Sequence, residues 1–368
     1  MRLIQIYDHA SHYRSAIYQK IDKEFGADIV VGDERGDIMP MDYGLLTNQV
    51  TIIHNYYFKY GYYQKGVFKF LFKNYDTYLI TGEFRCISTW ILMIGMKFFP
   101  QKKLYIWTHG WLGKENGVKR IIHKAFFRLS DGIFVYNNRS KDLMIKGGVS
   151  PDKITTIYNS LDYELQIVIR NKLHPSGIYQ NHFGNDRHVI IFLGRLTKVK
   201  RLDWLIAALH ILHHRGEYYN LVIVGDGENR GFLEKKAEEE GVSKSVWFCG
   251  ACYDEGKNAE YFYNADLCVS PGNVGLTAIH AMTYGCPVIT NDDFNHQMPE
   301  FEAIEKGKTG DFFQNGNVES LANTIMNWFL SSSYDRELLR KDCYAEIDTK
   351  WNTANQIRIF KSVFKSRL

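Results

Sequence analysis

Proline is scarce, with 7 in 368 residues and no Pro-rich tract among them. That excludes a polyproline spacer or a collagenous chain. Cysteine is sparse and irregular: the six, at 86, 249, 252, 268, 286 and 343, follow no framework spacing. A disulfide scaffold is therefore excluded and a reducing compartment expected. The single C-x-x-C, Cys249 to Cys252, has neither a second pair nor neighbouring histidines, which sets zinc aside. The longest nearly charge-free apolar run, 86–96, is too short to span a bilayer. Met1 leads straight into a strand-like run at 3–7, so no signal peptide is expected. Repeats at solenoid spacing are absent. These absences leave a cytoplasmic, soluble or peripheral protein.

What is present fits a globular chain of two domains: 45% hydrophobic, 23% charged and 368 residues long. Charge is uneven. Residues 1–184 hold 24 Lys+Arg against 16 Asp+Glu, a net +8, and 185–368 hold 21 against 25, a net −4. A basic first half suits an anionic surface or substrate, with nucleic acid and an anionic membrane both open at this point. In the second half, short apolar runs at 188–193, 221–224, 246–248, 267–269 and 287–289 alternate with helical periods at 203–214, 232–240 and 276–284. That alternation predicts a parallel, doubly wound α/β sheet. Ligands of such sheets sit beyond the carboxyl ends of the strands, where every Gly-rich segment of this half falls. The first half offers comparable strands at 3–7, 29–31, 51–54, 78–80, 104–107, 132–135 and 154–158. The polar, turn-rich stretch 174–186 is expected to be the linker. The expected domains are 1–180, 181–333 and a helical tail 334–368 that returns to the first. Together they predict two Rossmann-like domains facing across a cleft.

Four strand ends carry the chemistry. Gly194 and Arg195, followed by Lys200, place two cations where a tight turn leaves a strand, and a guanidinium fork with an ammonium suits a diphosphate. Gly225, Asp226 and Gly227 end the next strand, and Gly250 the one after. The segment SPGNVGL, holding Gly272, Asn273, Val274, Gly275 and Leu276, joins a strand to a helix whose free N–H groups favour an anion. As separate turns each is ordinary; together they favour a ligand site.

The ordered set GRLTKVKRLDWLIAAL, LVIVGDGE, VWFCG and YFYNADLCVSPGNVGLTAIHAMTYGCPVIT resembles the donor domain of a family 4, group 1 type glycosyltransferase. MPEFEAIEKGKTGDFF resembles that family's Pro-Glu loop and following strand, and WTHG at 107–110 its active-site His segment. The resemblance is strong over 188–313 and weak before 100. It implies a GT-B fold and retaining hexosyl transfer from a nucleotide sugar, UDP-sugar first and GDP-sugar second. No metal or other cofactor is implied. Arg195 and Lys200 match the contacts to the donor diphosphate, and His109 the position near the sugar. One departure matters: the family's two glutamates, eight positions apart, are here Gly272 and His280. His280 keeps the ability to bond a ribose hydroxyl, with a core position as the alternative. Glu300 and Glu302 are expected as substitutes, or else as a solvated acidic loop.

On the acceptor side, 8–14 (DHASHYR) stands where the family has a Gly-rich loop, so His9, Ser11, His12 and Arg14 are expected acceptor contacts. Residues 56–73 interleave Lys59, Lys65, Lys69 and Lys73 with Tyr and Phe and contain no acid. Three readings stand: a membrane interface, a helix packing its aromatics inward, and stacked single-stranded nucleic acid. The resemblance favours the membrane over nucleic acid, with 87–96 and Lys97, Lys102 and Lys103 extending the surface. The expectation is an enzyme on the inner face of the cell membrane, extending a lipid-linked or surface-polysaccharide glycan. A catalytically degenerate partner subunit, or an epimerase on the same fold, is the alternative.

Overall fold

The computed structural model describes residues 1–33, 39–115, 117–331 and 334–365. The chain divides into two compact units, Met1–Asp162 with Asn352–Leu368, and Tyr163–Trp351.

In the first unit the strands are β1 (Leu3–Tyr7), β2 (Asp28–Gly32), β3 (Val50–Ile53), β4 (Asn55–Phe58), β5 (Gly61–Gln64), β6 (Thr77–Thr81), β7 (Lys103–Thr108), β8 (Gly132–Val135) and β9 (Ile154–Thr156). Seven of them form one sheet in the order β3-β2-β1-β6-β7-β8-β9, all parallel. Strand periodicity sends alternate residues to opposite layers. Tyr78 and Ile80 join one cluster with Leu92 and Met93 of α2 (Ile87–Met96), Phe126 of α3 (Gly117–Arg128) and Met144. Leu79, Tyr105, Trp107 and Phe134 join the other, under α1 (Ser15–Phe25). Both faces are covered, which is why these strands read as continuous apolar runs.

The second unit has its own parallel sheet, order β12-β11-β10-β13-β14-β15. Its strands are β10 (Val189–Leu193), β11 (Asn220–Val224), β12 (Val246–Gly250), β13 (Leu267–Ser270), β14 (Val288–Asn291) and β15 (Gly310–Phe313). In chain order, α4 (Asn138–Lys146) closes the first unit's crossovers. The second unit's helices are α5 (Tyr163–Arg170), α6 (Ile178–Phe183), α7 (Leu202–His214), α8 (Arg230–Glu239), α9 (Glu255–Asn264), α10 (Leu276–Thr283), α11 (Val318–Leu330) and α12 (Arg336–Thr349). The apolar stripe of α7, Leu205, Ile206, Leu209 and Leu212, is fully buried against Ile190, Ile223 and Ile325.

The expected segment limits meet a different partition. Residues 174–186 are not an open linker: α6 buries Tyr179, whose hydroxyl donates to the Tyr261 carbonyl at 2.6 Å. His182 stacks on Trp247 with ring centres 3.9 Å apart. The tail splits. Helix α12 stays with the second unit, where Arg336 donates to the Ala265 carbonyl at 2.8 Å and Arg340 stacks on Tyr263 at 3.7 Å. Only α13 (Thr353–Lys365) packs on the first unit, burying Ile357, Phe360 and Phe364 beside α1; residues 366–368 lie outside the described residues.

Of the three readings of 56–73, the inward-packing helix is not what forms there. Strands β4 and β5 form an antiparallel hairpin pairing Tyr56 with Tyr63 and Tyr57 with Tyr62, followed by a 3-10 turn at Val67–Phe72. The aromatics divide: Tyr62 of β5 and Phe70 of the turn are buried, while Tyr56, Tyr57, Phe58, Tyr60 and Phe72 are exposed.

Candidate functional site

At the carboxyl ends of the second sheet, glycines allow backbone to meet backbone. Gly194 N–H donates to the Val224 carbonyl at 2.9 Å, and Gly225 N–H to that of Gly250 at 2.8 Å. Gly227 follows, its N–H taken by the Asp226 carboxylate at 2.7 Å. A Cβ on Gly225 would sit 1.9 Å from the Gly194 oxygen, so no side chain fits there. The loop after β13 is docked equally closely. Gly272 N–H donates to the Lys200 carbonyl at 2.9 Å, and a Cβ on Gly272 would lie 1.9 Å from the Val199 oxygen. The position where the resembled family carries its first glutamate is thus filled by the main chain of 199–200. Gly275, at φ +52°, turns the chain into α10 above it, and Leu276 begins the helix.

That docking brings Lys200 to the helix entrance. Its Nζ donates to the Asn273 carbonyl at 2.8 Å and to Asn273 Oδ1 at 3.0 Å. Burial pushes the ammonium down to about 8, with the nearby Arg195 charge adding to the fall and buried Glu300 opposing it. Arg195 itself is exposed. Two cations and the amino end of α10 therefore converge, a positive arrangement fit for a diphosphate.

Gln297 and Asn291 hold the loop from below, which the motif reading did not anticipate. Gln297 Oε1 accepts the Val274 N–H at 2.8 Å, while its Nε2 donates to the Gly272 carbonyl at 3.1 Å. Asn291 Nδ2 donates to the Pro271 and Gly272 carbonyls at 2.7 and 2.8 Å. The Val274 N–H is accordingly engaged within the protein. His280, one turn into α10, has Nε2 3.0 Å from Glu255 Oε1, which also accepts from Tyr284 and Gln166 at 2.6 and 2.9 Å. Burial alone would raise the Glu255 carboxyl, but these hydrogen bonds hold it at about 2. Glu255 is a second residue the sequence patterns did not single out. The Cys249 thiol is pushed up to about 12 by burial, away from thiolate chemistry.

The first unit carries a cavity of about 420 Å³ at its own strand ends. His9, Ser11, Arg14 and His109 line it; His12 does not, being exposed with Nδ1 3.3 Å from the Met39 carbonyl. Burial, then the Arg14 charge, push His109 down to about 4, so its imidazole is neutral near pH 7. Asp8, Glu83 and Tyr136 share the walls and follow β1, β6 and β8. Strand-end position was the signal for them.

Beside this unit's hairpin, α2 shows an exposed stripe, Ile87, Ile91 and Ile94, which continues to Phe98, 81% exposed. Lys59, Lys65, Lys69 and Lys73 punctuate the adjoining hairpin and turn, and α3 exposes Val118 and Ile121. No helix among the described residues is long and apolar enough to cross a membrane.

Comparison with known proteins places this geometry. Residues 178–344 match the family model of glycosyl transferases group 1. An uncharacterized 41.2 kDa protein in the cps region of Klebsiella pneumoniae is 25% identical over 87% of this chain and 80% of its own. The alpha-monoglucosyldiacylglycerol synthase of Acholeplasma laidlawii is 27% identical over 43% of each chain, so this chain spans under half of that relative. In fold, Anabaena HepE in complex with UDP superposes with a TM-score of 0.74, 18% identity and full coverage of both chains. HepE with UDP-glucose gives a TM-score of 0.69 at the same identity and coverage. The chain therefore has the two Rossmann-like domains of the GT-B fold, and its residues 178–344 are similar to the glycosyl transferases of group 1.

Proposed function

We propose that this chain is a retaining, metal-independent hexosyltransferase that uses a nucleotide sugar, UDP-sugar before GDP-sugar. The observation that carries the reading is the pair Arg195 and Lys200 beside the α10 entrance, inside the matched segment. As the glycosidic bond to the diphosphate breaks, negative charge builds on the leaving oxygen. Two cations and helix N–H groups stabilise it where other transferases use a metal. The UDP and UDP-glucose complexes of HepE support the donor class. The acceptor is a lipid-linked or surface-polysaccharide glycan, a reading supported by the cps-region relative and the glucosyldiacylglycerol synthase. A catalytically silent partner subunit is the second reading, favoured by the filled space at Gly272. Incubating the full chain with UDP-hexoses and a bacterial lipid extract tests it. Sugar in the lipid fraction with equimolar UDP release supports transfer; neither product, with UDP bound, favours the silent subunit.

The depressed Lys200 ammonium sets a pH dependence. It is charged below about 8 and loses its proton above. Since the diphosphate binds the charged form, UDP affinity is expected to fall as pH rises past that value, by up to about tenfold per pH unit. Titration calorimetry at pH 7 and 9 reads this directly; equal affinities contradict it.

Peripheral attachment rests on the exposed stripe of α2 and the lysines of the hairpin, an apolar face with cations around it. Ile91→Asp with Phe98→Asp is expected to lower pelleting with phosphatidylglycerol vesicles roughly tenfold or more. Undiminished pelleting would remove the membrane from this account.

A further inference from the structure

The loop that opens α10 is held from two sides, and both contacts fall on one peptide. We infer that Gln297 is a positioning residue for diphosphate binding: it fixes the peptide between Asn273 and Val274, whose opposite edge holds the Lys200 ammonium. The inference rests on the proposed nucleotide-sugar site and adds to it a residue that acts through Lys200.

Geometry comes first. Gln297 lies between β14 and the 3-10 turn Pro299–Ala303 and is 2% exposed. Its amide orientation follows from its partners. The Val274 N–H can only donate and therefore faces Oε1, at 2.8 Å. Nε2 then addresses the Gly272 carbonyl at 3.1 Å, Thr290 Oγ1 at 2.9 Å and the Asn291 carbonyl at 3.2 Å. The Asn273 carbonyl and the Val274 N–H belong to one rigid, trans peptide, so they point in opposite directions. Holding the N–H thus aims the carbonyl, and the carbonyl meets Lys200 Nζ at 2.8 Å. Asn273 Oδ1 accepts from the same Nζ at 3.0 Å.

The donors of Lys200 give this arrangement a consequence. An ammonium has three N–H groups, and Asn273 takes two, which leaves one direction for a phosphate oxygen. Rotating the peptide would turn an N–H toward the ammonium, donor against donor, and release Nζ from its aim. Val274 is 0% exposed, so an N–H deprived of Oε1 is left unsatisfied and the peptide gains by rotating. Asn291, the other amide of the network, reaches the Pro271 and Gly272 carbonyls, ahead of this peptide in the chain. Gln297 is the side chain that holds the plane itself.

The test is UDP affinity, measured by calorimetry on the full chain at pH 6, where Lys200 is charged. Gln297→Met keeps the size of the side chain and loses its hydrogen bonds. It is expected to weaken UDP binding about fivefold, within the coupling usual for residues of one hydrogen-bond network. In a Lys200→Ala background the same substitution is expected to change affinity by less than about twofold, because the group it positions is gone. A role confined to stability would weaken UDP by the same factor in both backgrounds. That result overturns the inference, as does unchanged affinity in Gln297→Met alone. Gln297→Glu is the second variant, should Gln297→Met not fold. As the protonated acid that burial favours, it keeps one acceptor and one donor in the same shape, and affinity within about twofold of wild type is expected. A loss of about fivefold or more in that variant contradicts the assigned role. A wild-type chain that binds no UDP sinks the glycosyltransferase reading instead, which separates the two failures.

Discussion

Replacing Arg195 or Lys200 with Ala is expected to lower kcat by roughly two or more orders of magnitude, the scale of losing one preorganised charge-stabilising donor. Both groups address the same diphosphate, so the double variant should fall by less than the product of the two single effects. Lys200 has a further task. Its Nζ satisfies both the carbonyl and the side-chain oxygen of Asn273, so Lys200→Ala also releases the loop that opens α10. Lys200→Arg retains the charge but cannot reproduce that compact contact, and an intermediate kcat is expected. Arg195, exposed and without this structural duty, should lose activity at nearly unchanged melting temperature. Steady-state kinetics with a UDP-sugar, beside thermal melts, distinguish these outcomes. Unchanged kcat in both Ala variants would remove the proposed charge stabilisation.

Gly272→Glu is expected to fail as a repair of the resembled family's glutamate pair, and to damage the protein. The new Cβ would meet the Val199 oxygen at 1.9 Å and Lys200 Cα at 2.8 Å, all main chain rather than pliable side chain. Relieving the overlap means separating the 199–200 segment from the β13 loop and breaking the bond from Gly272 N–H to the Lys200 carbonyl, 2.9 Å long. Overpacking of this kind costs about 1–3 kcal/mol, and more where backbone must move. In a unit of this size each kcal/mol lowers Tm by roughly 2–4 °C. Activity should fall at least tenfold, since the displaced segment carries Lys200. A variant with wild-type Tm and equal or higher turnover would mean that the loop moves freely and that the contact is incidental.

Much of the second unit was legible because each strand is a short apolar run ended by glycine and each helix has an apolar period. The runs at 188–193 and 221–224 became β10 and β11 almost residue for residue. The Gly-rich strand ends were legible for the same reason: close backbone approach forces glycine, and glycine is visible in a sequence. What Gly272 approaches was not legible, because the partner is the carbonyl of Val199, a contact no side chain encodes. Gln297 and Glu255 escaped notice since amides and carboxylates in loops look alike whether they brace a neighbour or face water. The fate of 174–186 was obscured by polar letters; its stability comes from aromatic and His faces packing on Trp247, which has no periodic signature. In 56–73 the aromatic density was plain, but alternation broken by two glycines and a 3-10 turn hid the hairpin.

Nucleoside diphosphate binding by Arg195 and Lys200 is the central claim of the proposed function. Titrating UDP, GDP, ADP and CMP into the purified full chain by calorimetry, for the wild type and for Lys200→Ala, tests that claim. Saturable binding of one nucleoside diphosphate, UDP first, weakened at least about tenfold by the substitution, is the predicted result. Binding of none of the four by the wild type, or equal affinity in the variant, would contradict it.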